Sequence, residues 1–200
     1  MFDYPEADSI SAFVTRIALG TAGDRDAVMA AVDGIRDREG CAEVLHRDLF
    51  ALPVFDIERH RALICVIGQL GHSSSLAVLE RFVWLTPDRV LPSRSVLWEG
   101  YSAADWSLQA RAAQMLAWVA GSGYRDTQLQ IIRGHPHPAV RYAAIGAWLY
   151  ARAGDPDAKE KLCALVPVCD KWAVDNADTI ALLPPRQFAE LVNAQALLTA

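Results

Sequence analysis

The sequence predicts an all-α fold, a right-handed α-solenoid of about four to five stacked helix pairs. Three observations predict it. Apolar residues recur at helical spacing, while strand-like alternation is scarce and alanine is abundant. Three stretches open on arginine, continue through small and branched apolar residues and close on glycine: "RALICVIGQLG" from Arg61, "RAAQMLAWVAG" from Arg111 and "RYAAIGAWLYARAG" from Arg141. Each is followed by a short polar turn and a second amphipathic segment.

Taken along the chain, the pattern begins with a fainter copy, "RIALGTAG", Arg16 to Gly23, followed by "DRDAVMAAVDGI". The second segments after the other glycines are "SSSLAVLERFVWL", "RDTQLQIIRG" and "DPDAKEKLCALV". The glycines at 23, 71, 121 and 154 suit the left-handed conformation that closes a helix. Asp155 is a natural N-cap and Pro156 a natural first helical residue. In "SLQARAAQMLAWVAG" the residues Leu108, Ala112, Met115, Leu116 and Val119 share one face. Ala113, Ala117, Trp118 and Ala120 make the other side partly apolar too. A helix of that kind lies between layers. The arginines at 61, 111 and 141 hold one repeat position, where they bridge neighbouring helices.

The whole chain, 1–200, reads as a single domain with two departures from the repeat. Residues 86–106, with Pro87, Pro92 and Gly100, form an irregular insertion. Residues 184–200, "PPRQFAELVNAQALLTA", read as a C-terminal capping helix.

"HPHPAVRYAAIGAWLYARAGDPDAKEKL" resembles a HEAT or HEAT-like (PBS-lyase-type) repeat. It has a proline-started helix with V-R-x-A-A, an Asp-containing turn and a second helix. The resemblance is closest over 135–166 and extends over 60–85 and 108–133. It implies a scaffold used mostly for binding proteins, with some nucleic-acid enzymes among its members.

Composition narrows the function classes. Apolar residues are 52% and charged residues 22%, which suits a folded domain with a sizeable core. There is no run of apolar residues long enough to span a bilayer, and the acidic start "MFDYPEADSI" is not a secretory leader, so a cytoplasmic location is expected. The four cysteines lack C-x-x-C spacing. His135 and His137 flank prolines at a helix start, with no carboxylate or cysteine near in sequence. No metal and no cofactor is therefore expected. Net charge is −5, with acid in excess in 1–50 and 155–200 and arginine in excess in 51–154. A nucleic-acid binder carries a net basic footprint, so nucleic acid is not the expected ligand. A basic protein partner is.

Two regions are candidates for that contact. The insertion and the residues after it offer Trp98, Glu99, Tyr101 and Trp106. The run "CDKWAVDNAD" offers Asp170, Trp172, Asp175 and Asp178, with the tryptophan as anchor and the carboxylates meeting Arg or Lys of a partner. No catalytic residue is expected. The functional expectation is a non-catalytic protein-interaction module, such as an acidic inhibitor or immunity protein that neutralises a basic, nuclease-like toxin. It would bind through the surface made by the second helices. The alternative is an enzyme like the HEAT-like alkylpurine DNA glycosylases, some of which pair an aspartate with tryptophans as Asp175 and Trp172 would here.

Overall fold

A computed structural model describes residues 25–53, 56–85, 98–120 and 125–182. The faint first copy at 16–23, most of the expected insertion and the expected capping helix at 184–200 lie outside the described residues. The described chain is helical and contains no strand. Its helices are α1 (Arg25–Arg36), α2 (Cys41–Ala51), α3 (Ile57–Leu70), α4 (Ser75–Val83), α5 (Trp98–Ala120), α6 (Arg125–Gly134), α7 (Pro138–Tyr150), α8 (Ala158–Cys163), α9 (Lys171–Asp175) and α10 (Ala177–Leu182). A 3-10 turn, Val168–Asp170, leads into α9.

The first helices of the repeats form a row in chain order: α3 packs on α5, α5 on α7, and α7 on α9 and α10. The second helices flank the row, α4 against α5 and α6 against α7. This arrangement explains the two-sided apolar pattern of α5. Leu108, Ala112, Met115 and Leu116 are buried, and so is Ala113 on the other side. The core runs without a break from Val32 and Leu45 through Leu63, Ile67, Leu116 and Ile145 to Val174 and Ile180. Burying each such side chain is worth about 1.5–3 kcal/mol.

Local sequence sets the helix ends. Asp56 caps α3 by accepting the Arg59 amide at 3.4 Å, and Gly71 closes that helix at φ 67°. A residue with a Cβ is strained there. Gly154 takes no such conformation. The α-helix of that repeat has already ended at Tyr150, and its tail is a series of tight turns, Arg152 N–H to Leu149 O and Ala153 N–H to Tyr150 O. Asp155 is not the N-cap of α8, which starts at Ala158, two residues later than expected from Pro156. Asp155 instead accepts the Asp157 amide at 3.0 Å and the Lys161 ammonium at 2.8 Å, which holds the turn. The chain is already helical from Trp98, so 98–106 belongs to α5.

Candidate functional site

Between α5 and α7 the row is closed at its base and open at its rim. On α5 the residues Arg111, Gln114, Met115 and Trp118 recur at i, i+3, i+4 and i+7 and line one wall of a pocket of ≈ 210 Å³. On α7 the residues Tyr142, Gly146 and Tyr150, one turn apart, line the opposite wall. Ala177 and Ile180 of α10 complete it. At one end Trp118 and Tyr150 stack on each other, ring centroids 5.6 Å apart and planes 16° from parallel. Both remain exposed, at 47% and 66%. Two large aromatic rings held together at the surface form a rigid apolar shelf.

The floor of this pocket is Gly146. A Cβ built on it would meet nothing within 4 Å. A second pocket of ≈ 380 Å³ shares Gly146, Tyr150 and Ala177 and continues towards Arg152, Asp155, Lys159 and Asp178. The two form one groove that crosses α7.

Counting from the arginine that opens each repeated stretch (Arg61, Arg111 and Arg141) shows where the space comes from. The fifth residue after it is Val66, Leu116 or Gly146. Val66 and Leu116 are buried in the core. In α7 the corresponding side chain is missing. The seventh residue is Gly68, Trp118 or Trp148. Gly68 is needed for close packing, because a Cβ there would come within 2.6 Å of Met115 Cβ. Trp148 is buried, with the Arg152 guanidinium 3.8 Å above its ring, whereas Trp118 stands at the surface.

The three arginines also differ. Arg141 bridges elements, as expected. Its Nε donates to Asp170 Oδ2 at 2.6 Å, Nη2 to Oδ1 at 3.1 Å, and Nη1 to the carbonyls of His135 and Pro136. Arg61 does not bridge; it pairs with Glu58 on its own helix at 2.9 Å. Arg111 is exposed in the groove wall and has no ion pair among the described residues.

The residues nominated by the sequence scatter. Asp170 lies in the interior: its side chain is 1% exposed and its carboxylate pairs with Arg141. Trp172 is half-buried, packing edge-on against Tyr142 at 5.0 Å. Asp175 is exposed. Asp178 is exposed too, rims the second pocket and lies 3.6 Å from Lys159. Neither Trp172 nor Asp175 lines either pocket. Trp106 is half-buried and stacks on His137, centroids 5.0 Å apart. Trp98, Glu99 and Tyr101 lie on the first turn of α5, and their side chains are outside the described residues. The groove residues Arg111, Trp118, Gly146 and Tyr150 were not nominated. The signal available for them was the glycine at a position where the other copies carry Val66 and Leu116.

Titratable groups near the start of α7 are tuned by burial. His137 caps α7 by accepting the Ala139 amide on Nδ1 at 3.2 Å. Burial, with His135 and Arg141 nearby, lowers its pKa to about 4. His135 accepts the His137 amide on Nδ1 at 3.1 Å, and its Nε2 lies 3.1 Å from Val83 O; burial lowers its pKa as well. In both rings the Nδ1 that accepts an amide and the burial favour the neutral form. Burial and the nearby Asp170 carboxylate push the Tyr142 hydroxyl up to about 12. No group of three or more His, Cys, Asp or Glu side chains that could hold a metal occurs among the described residues.

Comparison with known families adds one finding. Residues 94–182 match the family model for HEAT repeats. This stretch is similar to HEAT repeats. It contains both groove helices, α5 and α7, and α10 at its end. HEAT repeats generally mediate protein–protein interaction. No curated protein and no solved structure matches the chain. No helix among the described residues is long and apolar enough to cross a membrane.

Proposed function

We propose that this protein is a non-catalytic interaction module and that its partner is a basic protein. In its sharpest form, the proposal is an inhibitor that neutralises a nuclease-like toxin. The observation that carries the reading is the exposed Trp118–Tyr150 stack beside an open groove on a HEAT scaffold. Tryptophan, tyrosine and arginine are the residues that most often anchor protein interfaces. The net charge of −5 and the exposed Asp175 and Asp178 favour attraction of a basic surface. The groove lies in the row of first helices, so the contact is not made by the second helices alone.

The test is affinity capture from native lysate at low salt, with Trp118→Ala and a double Asp175→Lys, Asp178→Lys variant in parallel. A stoichiometric basic protein, lost with Trp118→Ala and weakened by the charge reversal, is the expected result. Nucleic acid alone in the eluate, released at moderate salt, sinks the reading and turns attention to the glycosylase-like alternative.

A further inference from the structure

We propose that the groove over Gly146 seats an acidic amphipathic helix of the partner. This helix sets one large apolar side chain over Gly146, against Trp118 and Tyr150, and a carboxylate on Arg111 two turns away. The inference rests on the reading of the protein as an interaction module and specifies the chemistry of the contact.

Four observations argue for this occupant. The first is the cost of the floor. Glycine inside a helix is destabilising, yet among the described residues nothing packs against Gly146 that would require it. The corresponding Val66 and Leu116 are buried in the core. The space is therefore not a consequence of helix packing, and it suits a side chain supplied from outside. Second, Trp118 and Tyr150 use only one ring face on each other and stay exposed, which leaves apolar surface for that side chain to cover.

The third observation is charge. Arg111 is the only charged residue lining the ≈ 210 Å³ pocket among the described residues. Its counterparts are matched, Arg61 by Glu58 and Arg141 by Asp170, whereas Arg111 has no ion pair among the described residues. A cationic side chain of the partner would be repelled at this point, and a carboxylate would complete a charge-assisted pair. A partner that is basic overall can still present this one acid, because long-range attraction follows total charge and the pair is local.

The fourth is spacing. Arg111 and Trp118 are seven residues apart on α5, about 10 Å along the axis. Residues i and i+7 of a docked helix span the same distance. The groove is open and runs on into the second pocket, which fits a helix laid between helices better than an enclosed small molecule.

The experiment is a selection of displayed amphipathic helices, with their groove-facing positions randomised, on the full chain. Wild type is expected to enrich Trp, Phe or Leu with Asp or Glu two turns away. Arg111→Glu is expected to weaken the selected helices by at least about tenfold and to turn the acidic position to Lys or Arg in a fresh selection. Gly146→Leu, which installs the residue that α5 carries at Leu116, is expected to abolish binding. Circular dichroism and thermal melts establish that both variants are folded. Enrichment of nothing, indifference to charge at the second position, or unchanged binding by Gly146→Leu overturns the proposal. So does self-association of wild type that Gly146→Leu abolishes, since a second copy is then the occupant. Helices selected as expected, alongside a lysate capture that yields no basic protein, retain the groove and remove only the basic-partner reading.

Discussion

The seam between α3 and α5 and the seam between α5 and α7 join successive copies of one repeat and end up different. At the first, Gly68 lets Met115 approach so closely that an added Cβ would collide with it, and Leu116 is wholly buried. Small meets large and no space is left. At the second, the small residue, Gly146, stands two positions earlier in its copy than Gly68, and Trp118 does not fill the space beside it. Trp118 stacks on Tyr150 at the surface, and a Cβ on Gly146 would meet no described residue within 4 Å. Among the described residues the scaffold thus opens a groove by leaving unfilled a packing position that its other copies fill with Val66 and Leu116.

The largest effect is expected where α7 is fastened on its other side. Arg141 and Asp170 form a buried bidentate pair, and Arg111, at the same repeat position on α5, has no such pair among the described residues. Asp170→Ala leaves a largely buried guanidinium without its carboxylate and is expected to cost about 3–5 kcal/mol in a denaturant titration. Arg111→Ala is expected to change stability by no more than about 0.5 kcal/mol. Equal losses at the two sites would show that Arg111 is also structural and that the two seams are not distinct.

The next effect belongs to the closed seam. Gly68→Ala forces its Cβ on Met115, whose flexible Sδ can move but whose Cβ cannot, and is expected to destabilise by about 1–3 kcal/mol. Met115→Ala in the same chain should recover part of that loss. The non-additivity of the pair measures how tightly the seam is closed.

The repeat architecture was legible because its signals are local. Arginine, an apolar stretch, glycine and a polar turn recur, and the helices α3, α5 and α7 fall on those stretches. The candidate contact residues were less legible because burial depends on which helix comes next. Asp170 reads as one of four solvated groups in "CDKWAVDNAD", yet Arg141, 29 residues earlier, draws it into the interior. Trp118 and Trp148 occupy the same place in their copies, and only the arrangement of neighbours leaves the first exposed and buries the second. Helix boundaries slipped for a similar reason: Asp155 can cap a helix, but Lys161 and the Asp157 amide claim its carboxylate for a turn.

A smaller effect is expected from acid. His137 and His135 each use a neutral Nδ1 to accept an amide at the entry to α7, and both have lowered pKa values. Groups of this kind bind fewer protons in the folded chain than in the unfolded one. Their contribution is fully present above the ordinary histidine value of 6.5 and is lost as pH falls towards about 4. Thermal stability should fall across that window, and His137→Asn, which keeps a cap without an imidazole, should flatten the fall. Losing a cap costs about 1 kcal/mol. A wild-type profile that is flat over the window would mean that α7 does not depend on this corner.

The smallest effect has the opposite sign. Gly146→Ala places a methyl group in open space on an interior turn of α7. It removes backbone freedom from the unfolded chain and adds a better helix former, so a gain of about 0.5–1 kcal/mol is expected. The same substitution at Gly68 is expected to lose stability, and opposite signs for one chemical change at two interior glycines would be direct evidence that the seams differ. Calorimetry on the two single variants is enough to decide. A loss at Gly146 would mean that the backbone there is held by something the groove does not explain. A gain, paired with weakened partner binding, would mean that the chain gives up stability at this position in return for an open surface.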